Sequence, residues 1–151
     1  MSAVSFTLRP YALADEDAAV ELWRRTWQQT YPDIDFAARL DWWRARWRNE
    51  VLPKATVTLA ETGGALIGFV TVEGATGNLD HIVVAPEAWG GGIAQALLAV
   101  AQRQAPGELS LRVNTDNARA IRFYEKHGFT VVGGDVNQLS GRPVHIMRWR
   151  A

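Results

Sequence analysis

Cysteine is absent from this chain of 151 residues. A chain without thiols has no disulfide framework, no cysteine-based metal site and no cysteine nucleophile. Its three histidines, His81, His127 and His145, are far apart in sequence and lack the spacing of metal ligands. We therefore expect no metal centre.

Neither sign of charge is in excess, since 16 Lys and Arg residues balance 16 Asp and Glu residues. A net charge of zero gives no electrostatic reason to expect nucleic acid or an anionic membrane as a partner. No apolar run is long enough to cross a membrane, and the N-terminus lacks a signal-peptide pattern. We therefore expect a cytoplasmic protein that binds neither nucleic acid nor membrane.

Tryptophan, in contrast, is abundant, and five of the seven tryptophans lie between residues 23 and 47. Rings that recur at helical spacing predict a first helix, which opens on a run of acidic residues and ends at Pro32. A second helix would take Asp33 or Asp35 as its cap and would end before Pro53. The rings predicted to pack in the core between these helices and the sheet are Trp23, Trp27, Tyr31, Trp43 and Trp47.

Strands dominate the remaining sequence. Alternating apolar residues predict an N-terminal strand over residues 4–9, and turn signals such as Gly63-Gly64 separate further strands after residue 55. Those strands are predicted at residues 56–60, 66–72, 79–84, 109–113, 130–132 and 144–149. Helical spacing returns after residue 93 and over residues 117–126. This order predicts a single α/β domain over residues 1–151.

A glycine run joins one of these strands to a helix. Gly90, Gly91 and Gly92 follow the apolar strand and directly precede the helix that begins at Ile93. Glycine lets backbone N–H groups approach a ligand, and the first turn of a helix has unpaired N–H groups and the positive end of the dipole. The loop therefore predicts a binding site for a phosphate or pyrophosphate.

Two common phosphate-binding patterns do not fit this loop. A nucleoside-triphosphate loop requires Gly-Lys-Ser/Thr, whereas Gly92 is followed by Ile93 and Ala94. A dinucleotide-binding loop requires a third glycine where Gln95 stands, and an acidic residue at the end of the next strand, whereas Glu108 precedes that strand.

Two segments together resemble a known family. Residues 89–94 resemble the acetyl-CoA signature Arg/Gln-x-x-Gly-x-Gly/Ala of the GCN5-related N-acetyltransferase (GNAT) superfamily. Residues 117–129 resemble the same superfamily's Asn-x-x-Ala-x-x-x-Tyr-x-x-x-Gly-Phe segment. The resemblance implies a mixed, mostly antiparallel sheet of about seven strands with about four flanking helices, in the order β1-α1-α2-β2-β3-β4-α3-β5-α4-β6-β7.

The resemblance also implies a function. An enzyme of this kind transfers the acetyl group of acetyl-CoA to a primary amine of a small molecule or peptide, directly in a ternary complex, and releases CoA. The absence of cysteine excludes a cysteinyl acyl-enzyme. A non-catalytic acyl-CoA-binding module of the same fold is the alternative. Many relatives form dimers, so a homodimer is also implied.

The resemblance assigns donor-side roles to particular residues. Freed backbone groups of Ile82, Val83 and Val84 would bind the pantetheine arm, and Asn117 would bond the cofactor. Tyr124 would protonate the leaving thiolate, since a phenol stays protonated at neutral pH. The residues whose backbone amides would hold the pyrophosphate are Trp89, Gly90, Gly91, Gly92, Ile93 and Ala94. Trp89 departs from the family pattern, which has Arg or Gln at that position.

The sequence says less about the residues that would bind the amine and accept its proton. Asp80 is the first choice for a general base, by its match to a position that bears the base in several relatives. His81 is the second choice, because a bulge in the strand would redirect its side chain. Candidate residues for binding the amine are Trp27, Tyr31, Asn78 and Arg112. A cation at Arg112 would favour an acceptor that bears a carboxylate or phosphate.

Overall fold

The computed structural model describes residues 5–105, 107–138 and 140–151. Within these ranges it has seven strands and four α-helices, in the predicted order. The strands are β1 (Thr7–Pro10), β2 (Thr56–Thr62), β3 (Ala65–Glu73), β4 (Asn78–Val84), β5 (Glu108–Asn114), β6 (Thr130–Val136) and β7 (Pro143–Arg150). The helices are α1 (Glu16–Thr30), α2 (Leu40–Arg46), α3 (Ile93–Gln104) and α4 (Ala118–Lys126). The predicted fold class is confirmed.

The seven strands form one sheet in the order β1-β2-β3-β4-β5-β7-β6. All neighbouring strands are antiparallel except β4 and β5, which are parallel and meet at a single pair, Asn78 with Ser110. Beyond that pair the two strands diverge. The divergence opens the middle of the sheet and leaves one edge of β4 without a backbone partner over residues 79–84 of the described chain.

A β-bulge lies in β4 at Asp80. Thr71 of β3 pairs with His81 while Val72 pairs with Leu79, so Asp80 has no partner across the ladder. A bulge places an extra residue in one strand and redirects the side chains beside it. The bulge therefore interrupts the alternation of side chains along β4, and Asp80 and His81 line the same cleft.

Helices cover both faces of the sheet, as adjacent residues of β3 show. A Cβ at Gly68 would lie 3.2 Å from side-chain atoms of Ile93 and Leu97, so α3 packs closely on that face and a larger residue would force these neighbours to shift. Phe69, the next residue, packs its ring 5.4 Å from the ring of Trp47 at the end of α2. Because successive side chains of a strand point to opposite faces, α2 and α3 lie on opposite sides of the sheet.

The first two helices follow the prediction with one difference. α1 matches the predicted span, but the second predicted helix is divided into a 3₁₀ turn over Ala37–Arg39, the helix α2 and a π turn over Trp47–Val51. Phe36 occupies the N-cap position of this segment, one residue after the predicted Asp35, although Asp35 Oδ1 accepts a hydrogen bond from the Ala38 amide at 3.2 Å. The N-terminal strand was predicted over residues 4–9 but begins at Thr7 in the structure. Val4 lies outside the described residues.

An ion-pair cluster joins α1 to α2. The Glu16 carboxylate accepts hydrogen bonds from Arg48 and Arg44 at 2.6–2.7 Å. The bonds from Arg48 and Arg44 lower the pKa of Glu16 to about 2, despite the opposing effect of its burial. These bonds hold α1 against α2 and the turn that follows it, the segments that carry the tryptophan-rich part of the sequence. Among the described residues there is no helix with the length and apolarity needed to cross a membrane.

Candidate active site

The glycine loop has the geometry of an anion site. Gly90 and Gly92 have positive φ angles of 83° and 86°, a conformation that favours glycine. α3 begins at Ile93, and its first helical hydrogen bond runs from the Ala96 amide to the Gly92 carbonyl. The amides of residues 93–95 have no partner within the helix, so they are free to bind an anion.

Two loop amides that were predicted to hold the pyrophosphate are already bonded. The Trp89 amide donates to the Pro86 carbonyl and the Gly91 amide to the Ala88 carbonyl, each at 3.2 Å.

A cleft of about 680 Å³, the donor cleft, runs from the open edge of β4 past this loop to α4. Its lining includes the cations Arg119, Arg122 and Lys126, and the described residues around it include no carboxylate. The predicted donor-side residues that line it are Ile82, Val83, Val84, Trp89, Gly90, Gly92, Ile93, Ala94, Asn117 and Tyr124. Gly91 belongs to the same loop but is buried and does not line the cleft. An extended ligand with several phosphates fits this combination of shape and charge.

Trp89 is held at both its nitrogen and its ring. Its indole Nε1–H donates a 2.8 Å hydrogen bond to the Val84 carbonyl at the end of β4. The guanidinium of Arg119, from α4, lies over the indole ring at 3.8 Å from the centroid, which is close cation–π contact. Trp89 therefore ties the glycine loop to β4 and positions a cation from another helix beside the loop.

Asn117 caps α4, and its Oδ1 accepts a hydrogen bond from the Ala120 amide at 3.3 Å. Its side-chain NH₂ has no hydrogen-bond partner in the described part of the chain and remains available to a ligand in the cleft. Gly128, with φ 91°, follows the end of the helix, and Phe129 then packs its ring 5.3 Å from that of Tyr124.

Tyr124 lies deep between two clefts and is 9% exposed. It lines the donor cleft and also a second cleft of about 520 Å³, the acceptor cleft, on the side of α1 and α2. Burial raises the pKa of the Tyr124 phenol well above its usual value, so the hydroxyl stays protonated at neutral pH. Trp27, Ile82, Asn117 and Ala120 also line both clefts.

The bulge of β4 brings Asp80 and His81 into the acceptor cleft. Asp80 Oδ2 is 2.9 Å from Arg46 Nη1 and 3.3 Å from His81 Nδ1. Burial raises the pKa of Asp80, but His81 and Arg46 outweigh that effect and hold it well below its usual range. Asp80 is therefore an ionised carboxylate and a weak proton acceptor. The His81 ring packs against Trp43 at 4.8 Å between centroids.

The other predicted acceptor-side residues line the same cleft, and the polar groups of Tyr31, Asn78 and Arg112 already have partners. The Tyr31 hydroxyl donates to Asp116 at 2.8 Å and accepts from Asn114 at 3.0 Å, so the residue presents mainly its ring. The Trp27 ring stacks on that of Tyr31 at 5.8 Å. Arg112 forms an ion pair with Asp135, and Asn78 donates a hydrogen bond to Glu73 at 3.1 Å.

Two of these contacts were not foreseen from the sequence. Arg46 and Asp80 are 34 residues apart, and Trp89 and Arg119 lie on a loop and a helix that are separated by β5. Neither pair has a sequence signal, because local periodicity and spacing report only on neighbours within one element.

Comparisons with known proteins identify the family of this chain. A sequence model of the acetyltransferase (GNAT) family matches residues 16–129. The chain is 31% identical over 130 residues to the peptidyl-lysine N-acetyltransferase YjaB of Salmonella typhimurium, covering 85% of this chain and 86% of that protein. It is 32% identical over 144 residues to a mycothiol acetyltransferase of Kineococcus radiotolerans, covering 92% of this chain and 47% of that protein.

A solved structure shares the fold. The PaiA N-acetyltransferase of Thermoplasma acidophilum, solved in complex with coenzyme A, superposes with a TM-score of 0.76 and is 21% identical. The superposition covers 98% of this chain and 100% of that one.

Proposed function

The chain belongs to the acetyltransferase (GNAT) family, and we propose that it transfers the acetyl group of acetyl-CoA directly to a primary amine of a small molecule or peptide. The observation that carries the proposal is that the donor and acceptor clefts meet at Tyr124. An amine in the acceptor cleft and a thioester in the donor cleft would therefore both contact Tyr124. The two relatives are named for peptidyl-lysine and for mycothiol, which supports either kind of acceptor.

The donor cleft suits acetyl-CoA, which supplies an acetyl group activated as a thioester. The free amides at the start of α3 would bind the pyrophosphate, and the open edge of β4 would offer backbone groups to the pantetheine arm, apart from the Val84 carbonyl that Trp89 already occupies. The Asn117 amide is available for a further hydrogen bond. A backbone amide near Val84 would stabilise negative charge on the thioester oxygen as the new C–N bond forms. Tyr124 then gives its proton to the sulfur as the C–S bond breaks.

We assign to His81 the role of accepting the proton from the attacking amine. Asp80 would stabilise the protonated His81. The ionised Asp80 carboxylate, 3.3 Å from His81 Nδ1, would stabilise the imidazole once it has accepted a proton. His81 thus takes precedence over Asp80 as the general base, because the pairing with Arg46 makes Asp80 a weak acceptor.

We expect His81→Gln to lower kcat/KM by about 10²-fold near neutral pH, the lower end of the usual range for loss of a general base. The pH profile measured on wild type and variant provides the check: in the variant, the acid limb should follow the titration of the amine substrate alone. His145→Gln is the matched control, since His145 on β7 lines neither cleft. Identical pH profiles for wild type and His81→Gln would remove His81 from the mechanism.

A second prediction concerns the cation beside the glycine loop. We expect Arg119→Ala to weaken binding of CoA and of dephospho-CoA alike, each by about tenfold, because Arg119 would contact the pyrophosphate that both ligands share. Trp89→Phe should cost less than Trp89→Ala, since phenylalanine keeps a ring for the guanidinium. Isothermal titration calorimetry measures both affinities.

Arg103→Ala is the control for this experiment, because Arg103 is exposed on α3 outside both clefts. Weaker binding of CoA with unchanged binding of dephospho-CoA would instead place Arg119 at the 3′-phosphate. Additive losses in the Trp89→Ala/Arg119→Ala double variant would mean that Trp89 does not position Arg119.

The direct test of the function is release of free CoA thiol from acetyl-CoA across a panel of primary amines, with mass spectrometry of the acetylated product. A protein that binds CoA but acetylates no amine would favour the alternative, a non-catalytic acyl-CoA-binding module. A homodimer, a cytoplasmic location and a single domain over residues 1–151 also remain our predictions. A monomer mass by light scattering would contradict the dimer.

A further inference from the structure

The acceptor cleft has an aromatic wall, formed by Trp27, Tyr31, Trp42 and Trp43. Trp43 is buried, whereas Trp42 is 43% exposed at the cleft surface. The Tyr31 hydroxyl is already bonded to Asp116 and Asn114, so the wall presents ring surface rather than hydrogen-bonding groups. Such a wall favours an acceptor with a flat, apolar body that separates its amine from its other charged group.

Both carboxylates in the lining of this cleft are paired with arginines of the same lining. Asp80 pairs with Arg46 at 2.9 Å, and Asp135 pairs with Arg112. Each pair is neutral in sum. The cleft therefore offers no unpaired carboxylate, among the described residues, to attract an acceptor with a second positive charge.

Two further arginines line the cleft, and only one of them has a counter-ion. Arg142 pairs with Asp116 at 3.0 Å. Arg39 lies with its guanidinium 5.3 Å from the Phe36 ring centroid and forms no ion pair with any described residue. A guanidinium packed on a ring keeps its N–H edge for a planar anion, which a carboxylate matches with two parallel hydrogen bonds.

We propose that the acceptors of this enzyme are primary amines that carry a carboxylate on a flat, apolar body, and that Arg39 binds the carboxylate while the aromatic wall packs on the body. The proposal rests on the function proposed above and adds the class of acceptor to it. An acceptor with a second cation is disfavoured, because the charge left over in the lining is positive. The carboxylate can belong to a small molecule or to an acidic residue beside a peptide lysine.

Three matched amines test the proposal: 4-(aminomethyl)benzoate, 4-(aminomethyl)benzamide and 4-methylbenzylamine. They share the ring and the amine, and they differ only in the para group. We expect kcat/KM for the carboxylate to exceed that for each of the others by about tenfold, a difference that resides in KM. Lysine peptides with Phe on one side of the lysine and Glu or Gln on the other form the second arm, which tells a peptide source from a small-molecule source.

Arg39→Gln should abolish the preference by raising KM for the carboxylate about tenfold, with activity on 4-methylbenzylamine retained. Arg39→Lys should keep part of the preference for the carboxylate, because lysine retains the positive charge without the planar, two-pronged guanidinium. Arg103→Gln removes the same charge outside both clefts and should keep the whole preference.

Equal kcat/KM for carboxylate and amide in both arms would overturn the acceptor class while the acetyltransferase function stands. An equal loss on all three amines in Arg39→Gln would show a structural role and overturn the assignment of Arg39. If wild type acetylates no amine at all, the proposed function fails, and the acceptor class fails with it.

Discussion

Replacing Tyr124 by phenylalanine is expected to lower kcat by about 10²- to 10⁴-fold, the usual range for loss of a general acid. The substitution removes one hydroxyl from a ring that packs against Phe123 and Phe129, so the site keeps its shape. Under the proposed mechanism, it removes the proton for the departing thiolate. Binding of CoA should stay within about twofold, because the loop amides and α4 cations that we propose hold the phosphates are unchanged.

The measurement is the rate of thiol release at saturating acetyl-CoA, together with calorimetric binding of CoA. Because burial raises the pKa of Tyr124, wild type should show no loss of activity through deprotonation of this phenol up to about pH 9. Tyr11→Phe is the matched control: Tyr11 lies outside both clefts and its hydroxyl accepts a hydrogen bond from Trp47. It should keep kcat.

A Tyr124→Phe variant with the wild-type kcat would show that another group, or water, protonates the thiolate. The family membership and the donor site would stand, and the assigned acid would be wrong. Weaker binding of CoA, seen as a higher Kd, with an unchanged kcat would instead make Tyr124 a binding residue.

Replacing Trp47 by alanine is expected to lower the free energy of unfolding by about 3–5 kcal/mol, the typical cost of deleting a large buried aromatic side chain. Trp47 is 0% exposed. Its ring meets those of Tyr11, Trp43 and Phe69 at 5.4–5.8 Å, and its indole N–H donates to the Tyr11 hydroxyl. The substitution opens a cavity at the junction of α2 with the sheet and leaves the Tyr11 hydroxyl without this donor.

Urea unfolding at pH 7 measures the loss, and Tm should fall by roughly 10 °C for a domain of this size. Trp42→Ala is the matched control, since Trp42 lies five residues earlier, on α2, and is 43% exposed; it should cost less than about 1 kcal/mol. Equal losses for the two variants would mean that Trp42 is covered by something in solution, such as a second copy of the chain. A loss below about 1 kcal/mol for Trp47→Ala would contradict the packing described for α2.

Local signals were sufficient for much of this fold. Pro32 and the acidic run bounded α1, Asn117 and Gly128 bounded α4, and the alternation of apolar residues located most of the strands. The second helix was less well predicted, because the sequence does not indicate where an α-helix changes to 3₁₀ or π geometry. The length of β6 was also underestimated: its exposed valines and glycines carry no pattern of a buried face, and its partner β7 decides where it ends.

The sequence by itself determined the glycine loop, the cap of α4 and the order of the elements, because each depends on residues that are neighbours along the chain. Only the tertiary structure decided that β4 and β5 diverge, that Asp80 is the bulged residue and ion-pairs with Arg46, and that Arg119 lies on Trp89. It also decided that Arg39 faces the acceptor cleft without a counter-ion among the described residues. These features depend on contacts between distant segments, and such contacts exist only once the sheet has brought the segments together.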